Sequence, residues 1–331
     1  MKLLGRSITG LDIGAKEIRA IEISGSLNKS VIRNIAKISL PEGAVREGKI
    51  TDPEKVGEVI SELWKKNKMH SKDVMLGINN TDVIIRFALL PRIPKDKLAK
   101  MIRFQAPDYI PFPLEEVEFD YSIISETENE EGEFYNVLIV AARKDMLAGF
   151  LKAMNHARLN VYDIKSSALI MDKLLPEKNR NDMNVLVNLD SEICNILIMD
   201  NNKPAFARTV ILGWNINNNG KLDINDGKVE EAKEYISKEI RSSIAYYQSQ
   251  NINSAISKVY LTGCAVLRKE IADELIKSIG ARVELLRPYD YLFGKFKEQN
   301  KFAPAKTDTG SDVAAEFAVA LGLAFHGLKE G

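Results

Sequence analysis

The chain opens on two apolar-rich runs separated by one tight turn. Thr9-Gly10-Leu11-Asp12-Ile13-Gly14 reads as a strand running into a turn, and Glu17-Ile18-Arg19-Ala20-Ile21-Glu22-Ile23 as a strand returning beside it. Val31–Leu40 predicts a third strand, with Ile32, Ala36, Ile38 and Leu40 expected on one face. Thr51-Asp52-Pro53-Glu54 is a helix start, with Asp52 as cap and Pro53 at the first helical position. Val56, Val59, Ile60, Leu63 and Trp64 then recur at helical spacing as one apolar stripe. Three strands followed by a helix predict α/β layers packed on a shared core.

The pattern next sets off residues 74–158 as a separate module. Val74–Ile78 and Val83–Leu89 read as strands, and Pro91 and Pro94 interrupt the chain before a helix over Lys95–Tyr109. Its inward face is Leu98, Met101, Ile102 and Ala106. Pro111 and Pro113 stop it, Val117–Ile124 and Phe134–Ala142 are strands, and the acidic run Glu126–Glu133 between them is a solvated hairpin tip. A helix over Asp145–Arg158 closes the module.

After the polar linker Pro176–Asn184, three strands follow in a row: Val185–Asp190, Ile193–Met199 and Ala205–Leu212. A helix over Lys228–Gln250, a strand over Lys258–Thr262, a helix over Ala265–Ile279 and a strand over Arg282–Leu286 complete this half. Residues 287–311 read as loop, and Asp312–Leu328 as a buried alanine-rich helix. The repeated strand-strand-strand-helix order predicts a duplicated fold with a cleft between its halves. The expected division is a first lobe of residues 1–73, with 159–176 and 312–331 returning to it, an insert at 74–158 and a second lobe at 185–286.

Composition narrows the function classes. Lys+Arg and Asp+Glu are 46 each, so no global charge draws the chain to nucleic acid or an anionic membrane. No apolar run reaches the ~18 residues that a spanning helix needs, which predicts a cytoplasmic protein. Cys194 and Cys264 lack metal-ligand spacing and are expected to be buried thiols. His70, His156 and His326 stand far apart and suggest neither a zinc motif nor a triad. Chemistry is suggested only at the opening turn. Asp12, an acid at a strand end, could hold a hydrated Mg²⁺ through oxygen. Gly14 would let backbone approach a phosphate with no side chain in the way. An ordinary hairpin with a glycine turn reads the same way.

The pattern resembles the actin-like ATPase fold, in which two ribonuclease-H-like lobes clamp a nucleotide. Within that fold the chain is similar to the PilM family of type IV pilus assembly, over nearly its whole length. The most specific segments lie in the insert: Val83–Pro94, Ile102-Arg103-Phe104-Gln105-Ala106, Tyr109–Glu116 and Val140-Ala141-Ala142-Arg143-Lys144. The closing Ala318–Ala324 matches as well. The resemblance implies two actin-like lobes with a small α/β module inserted in the first. It also implies ATP and Mg²⁺ between two hairpins and a glycine turn at the adenosine, which here points to Asp12 as metal ligand and to Gly14, Ala15, Lys16, Gly213 and Gly263. Lys16 could reach a phosphate as a point charge or stand solvated.

The chain departs from the family at that site. Ala15-Lys16 stands where a small hydroxyl residue is usual, and the second hairpin, Asn188-Leu189-Asp190-Ser191-Glu192, carries Asp190 in place of a glycine. The adenosine turn keeps Gly263 but has Cys264 next, and Trp214–Asp226 is too short for the usual lid. Weak or absent nucleotide binding is therefore expected, and no catalytic residue.

The partner that the resemblance implies is the cytoplasmic N-terminal peptide of a PilN-like single-pass membrane protein, held near the assembly motor ATPases. Ile84, Arg86, Phe104, Tyr109 and Phe112 are candidates to line its groove, and each also fits an ordinary core position. The alternatives are an active ATPase of pilus assembly or type II secretion, a sugar-kinase-like phosphotransferase, and a filament-forming division protein of the FtsA kind. The last usually ends in a membrane-binding helix, whereas this sequence ends at Gly331 directly after its buried helix. No direct membrane contact is expected.

Overall fold

The structure is a computed structural model, and it describes residues 6–26, 29–176, 179, 181–213, 226–251, 255–263, 268–288 and 313–329. Strand β1 (Ser7–Ile13) pairs antiparallel with β2 (Glu17–Ser26), and β2 with β3 (Lys29–Ser39). A short pair, β4 (Val45–Arg46) and β5 (Lys49–Ile50), leads into α1 (Pro53–Lys66). The Asp52 carboxylate accepts the Lys55 backbone N–H, as its position before Pro53 predicts. Next come β6 (Asp73–Ile78), β7 (Val83–Pro91), α2 (Lys95–Tyr109), β8 (Val117–Asn129), β9 (Gly132–Arg143), α3 (Lys144–His156) and β10 (Asn160–Ser166). The first sheet has the order β10-β6-β1-β2-β3, with β6 parallel to β1. The order β7-β9-β8 forms a separate three-stranded sheet.

The second half carries β11 (Asn184–Leu189), β12 (Ile193–Asp200), β13 (Lys203–Ile211), α4 (Asp226–Gln250), β14 (Lys258–Gly263), α5 (Arg268–Ile279) and β15 (Arg282–Leu285). Its sheet runs β13-β12-β11-β14-β15, with β14 parallel to β11. In each five-stranded sheet the first strand lies between an antiparallel hairpin partner and a parallel strand that arrives later. The halves are therefore two lobes of one topology. The chain closes with α6 (Val313–Glu316) and α7 (Ala318–Lys329). Helix α7 and the preceding Phe317 pack on the first sheet, burying Phe317, Leu321, Leu323 and Leu328 with Ile8, Ile21, Ile23 and Met75. It approaches so closely that a Cβ at Gly10 of β1 would run into the Ala320 carbonyl, so only glycine fits there. No helix among the described residues is long and apolar enough to cross a membrane.

Three expectations are corrected. Val74–Ile78 is not part of the insert: it is β6, hydrogen-bonded between β1 and β10 in the first sheet. The helix closing the proposed module, α3, packs with α1 in the first-lobe core, where Phe150, Ala153 and Met154 meet Val56, Ile60 and Leu63. Both elements carry patterns that suit several neighbours, and only the long-range pairing decides between them. The third correction concerns phase. A bulge opposite Glu22 and Ile23 inserts Arg33 as an extra residue in β3, so Ile32 faces the α7 side while Ala36 and Leu40 face the α1 side.

At one end of the first sheet, the buried Glu22 carboxylate ties three elements together. One oxygen accepts from Ser7 Oγ and the Ser71 backbone N–H, both at 3.0 Å. The other accepts from Asn34 Nδ2 at 2.8 Å and the His70 N–H at 3.2 Å. Each oxygen faces a fixed backbone donor, so an amide in either orientation sets N–H against N–H. Glu22→Gln is therefore expected to destabilise the fold by about 1–3 kcal/mol. Urea denaturation followed by circular dichroism measures this.

Candidate functional site

The two hairpin turns, one per lobe, are closed alike. The Gly14 N–H donates to the Glu17 carbonyl at 3.0 Å, and the Asp190 N–H donates to the Ile193 carbonyl at 2.8 Å. Asp190 thus holds in the second lobe the place that Gly14 holds in the first. The turns face each other, and a Cβ built on Gly14 would lie 2.6 Å from Asp190 Oδ2. The bare backbone on one side makes room for the carboxylate of the other.

Arg19 sits between them. The β1–β2 register sets it opposite Asp12, and its guanidinium meets Asp12 Oδ2 at 3.2 Å, Glu17 Oε1 at 2.8 Å and Asp190 Oδ1 at 3.3 Å. Asp12, Arg19 and Asp190 are all buried. Three carboxylates surround one cation, and Lys37 extends the network by bridging Glu17 and Glu316 of α6. Burial alone would lower the Arg19 pKa, but Asp190, Glu17, Asp12 and Glu316 hold it well above its usual value. Asp12 is pushed up to about 6, first by burial and further by Asp190 and Glu17, against the pull of Arg19.

Outside this contact lies an open cleft of about 370 Å³ lined by Ala15, Lys16, Arg46, Glu192, Ile211 and Gly213, among others. Three of the residues singled out in the sequence, Ala15, Lys16 and Gly213, come together there. Asp12 and Gly14 lie inward at the Arg19 contact. Gly263, at the end of β14, has φ +87 and passes so close to the Leu189 carbonyl that a Cβ would clash. Cys264 and residues 214–225, expected to form the altered adenosine turn and the shortened lid, lie outside the described residues. Cys194 is a buried thiol, and burial pushes its pKa up to about 12. Among the described residues no cluster of three or more His, Cys, Asp or Glu could hold a metal.

In the insert, Ile84, Tyr109 and Phe112 pack half-buried against the layer between α2 and its sheet. Arg86 and Phe104 are exposed, Phe104 by 86%, so the core position that the sequence equally allowed does not hold for these two. A second groove of about 470 Å³ runs along β8, one of the two outer strands of that sheet, lined by Arg103, Leu114, Phe119, Tyr121 and Lys144 among others. None of the five residues singled out for the peptide lines it.

Sequence reasoning missed Arg19 and Glu17. The available signal was an arginine set between Ile18 and Ala20 with an acid opposite in the hairpin. Removing the cation strands the buried Asp12 and Asp190 and leaves the half-buried Glu17 to Lys37, whereas removing one acid leaves a better balance. Arg19→Met is therefore expected to cost about 3–5 kcal/mol, and Asp12→Asn clearly less. Because the folded pKa of Asp12 lies above that of an ordinary aspartate, its protonation favours the folded state as pH falls through about 6. Asp12→Asn should then be better tolerated at pH 8 than at pH 5, as denaturant titrations at the two pH values can measure.

Comparison with known proteins agrees with this architecture. The family of type IV pilus assembly protein PilM matches residues 10–235. The solved PilM–PilN type IV pilus biogenesis complex superposes with a TM-score of 0.80 at 24% identity, over 97% of this chain and 98% of that one. More distant are a Bacteroides thetaiotaomicron protein of actin-like ATPase fold and unknown function (TM-score 0.47, 12% identity, 86% of this chain and 92% of that one) and the ethanolamine utilization protein EutJ of Carboxydothermus hydrogenoformans (TM-score 0.49, 11% identity, 97% and 89%). With a family match over more than half of its length and the same fold over nearly all of it, the chain belongs to the PilM family of type IV pilus assembly proteins.

Proposed function

We propose that this protein is an actin-like scaffold of type IV pilus assembly that holds the cytoplasmic N-terminal segment of a PilN-like inner-membrane protein and works without hydrolysing ATP. It would act at the inner face of the membrane through that partner. The observation that carries the second half is the Asp190 carboxylate resting on Gly14. A phosphate brought there would displace a carboxylate already paired with Arg19, or meet it. At about 4 Å, two like unit charges at an effective dielectric of 20 repel by roughly 4 kcal/mol. Asp12, the acid that would orient Mg²⁺, is also engaged by Arg19. The residues present do not fit a bound Mg·ATP in this arrangement.

For the partner, the supporting feature is the outer edge of β8. An extended peptide can add to a free sheet edge through its backbone, with side-chain pockets supplying specificity. Leu114, Phe119 and Tyr121 offer apolar contact there, beside charges of both signs: Arg103 and Lys144 with Glu115, Glu118 and Asp120. The neighbouring Phe104 is a large apolar group left almost wholly in water.

The test is fluorescence anisotropy with a labelled peptide carrying the N-terminal cytoplasmic segment of the PilN-like protein from the same organism. Binding is expected with equal affinity in the presence and absence of Mg·ATP. Arg103→Asp and Phe104→Asp change exposed side chains and should each weaken it at least tenfold while leaving the circular dichroism spectrum intact. Unchanged affinity in both folded variants would put the peptide elsewhere. An affinity that rises with Mg·ATP would favour the active ATP-binding alternative.

A further inference from the structure

The turn Asp190-Ser191-Glu192 belongs to the second lobe, yet both of its acids end on the first. Asp190 accepts from Arg19 Nη2 at 3.3 Å and rests its other oxygen over Gly14. Glu192 Oε2 accepts the Glu47 backbone N–H at 2.7 Å, at the tip of the β4–β5 pair. The receiving groups are themselves held. Arg19 is fixed by Asp12 and Glu17, and the β4–β5 tip by Asn80 Nδ2, which donates to the Gly48 carbonyl at 3.0 Å. Ile193 adds an apolar contact, its Cδ1 lying 2.9 Å from where a Gly48 Cβ would stand.

The lobes also share an apolar cluster, where Met171, Leu174, Leu175 and Ala318 meet Leu186, Leu197, Met199 and Tyr260, and lobes packed at one place can still swing about it unless a second contact ties them. Closure is commonly driven by a ligand bound between them. Here the second-lobe turn reaches across by itself at two separate points. We propose that Asp190 and Glu192 form a two-pronged latch that fixes the lobes relative to each other with no ligand between them. The inference rests on the reading that nucleotide does not close this cleft. The charged groups around the inner prong are Asp12, Glu17, Arg19, Lys37 and Glu316, and around the outer prong Lys16, Glu42, Arg46 and Glu47.

A latch differs from two unrelated contacts in being cooperative. Releasing the inner prong should loosen the outer one, although Asp190 makes no hydrogen bond to the β4–β5 tip. The test is hydrogen–deuterium exchange by mass spectrometry on the full chain, read in peptides spanning residues 43–50, with small-angle scattering in parallel. Asp190→Ala is expected to speed exchange at 43–50 at least tenfold and to enlarge the radius of gyration. Where that variant loses the wild-type circular dichroism, Asp190→Asn keeps the size while removing the charge, and a rise of several-fold is expected. Unchanged exchange at 43–50 in a folded variant overturns the latch. The wild type is also measured with Mg·ATP. If nucleotide alters exchange at 43–50 while Asp190→Ala still loosens it, the latch stands and the nucleotide-free reading fails.

Discussion

Across the cleft, the two hairpin turns meet on one buried cation. Arg19 is surrounded by Asp12, Glu17 and Asp190, and it is the guanidinium that both lobes share. Without it, Asp12 and Asp190 would face each other buried and unpaired with Glu17 beside them, and the second-lobe turn would be driven from the first. The seat for this contact exists because Gly14 has no side chain, so the Asp190 carboxylate can lie against the backbone. Each feature makes sense only with the other present. An apolar filling could hold two lobes together as firmly, but it would not occupy the anion seat with a charge of the same sign as a phosphate.

Duplication explains how such a contact arises. Both sheets begin with a hairpin whose turn points at the other lobe, and the hydrogen bonds closing the two turns are equivalent. A two-lobed frame of this kind suits a ligand gripped between two bare turns. In this chain one turn keeps its glycine and the other carries an acid. On the proposed reading, the cleft has become a joint, and the working surface has moved to the inserted sheet with its open β8 edge and the exposed Phe104 on α2.

Much of the fold is legible along the chain because its signals are local. The capped start of α1, the alternation through β1 and β2, and the proline-bounded α2 each state their own structure. What could not be read is non-local. Strand β6 is followed at once by β7, and nothing in its own residues says that it pairs with β1 in a different sheet. The bulge at Arg33 reverses the phase of β3 without any glycine or proline to announce it. At the site, Asp12 and Gly14 were visible as a turn, and Asp190 as a misplaced acid. Arg19, which decides what both acids do, draws its meaning from a partner 171 residues away.

The central claim is that the chain's own carboxylate and arginine, rather than a nucleotide, fill the space between the hairpins. Isothermal titration calorimetry of the full chain with Mg·ATP near neutral pH tests it most directly. The account predicts no saturable heat up to ATP concentrations near a millimolar, corresponding to binding weaker than about −4 kcal/mol. One-to-one binding at low micromolar concentration would contradict it.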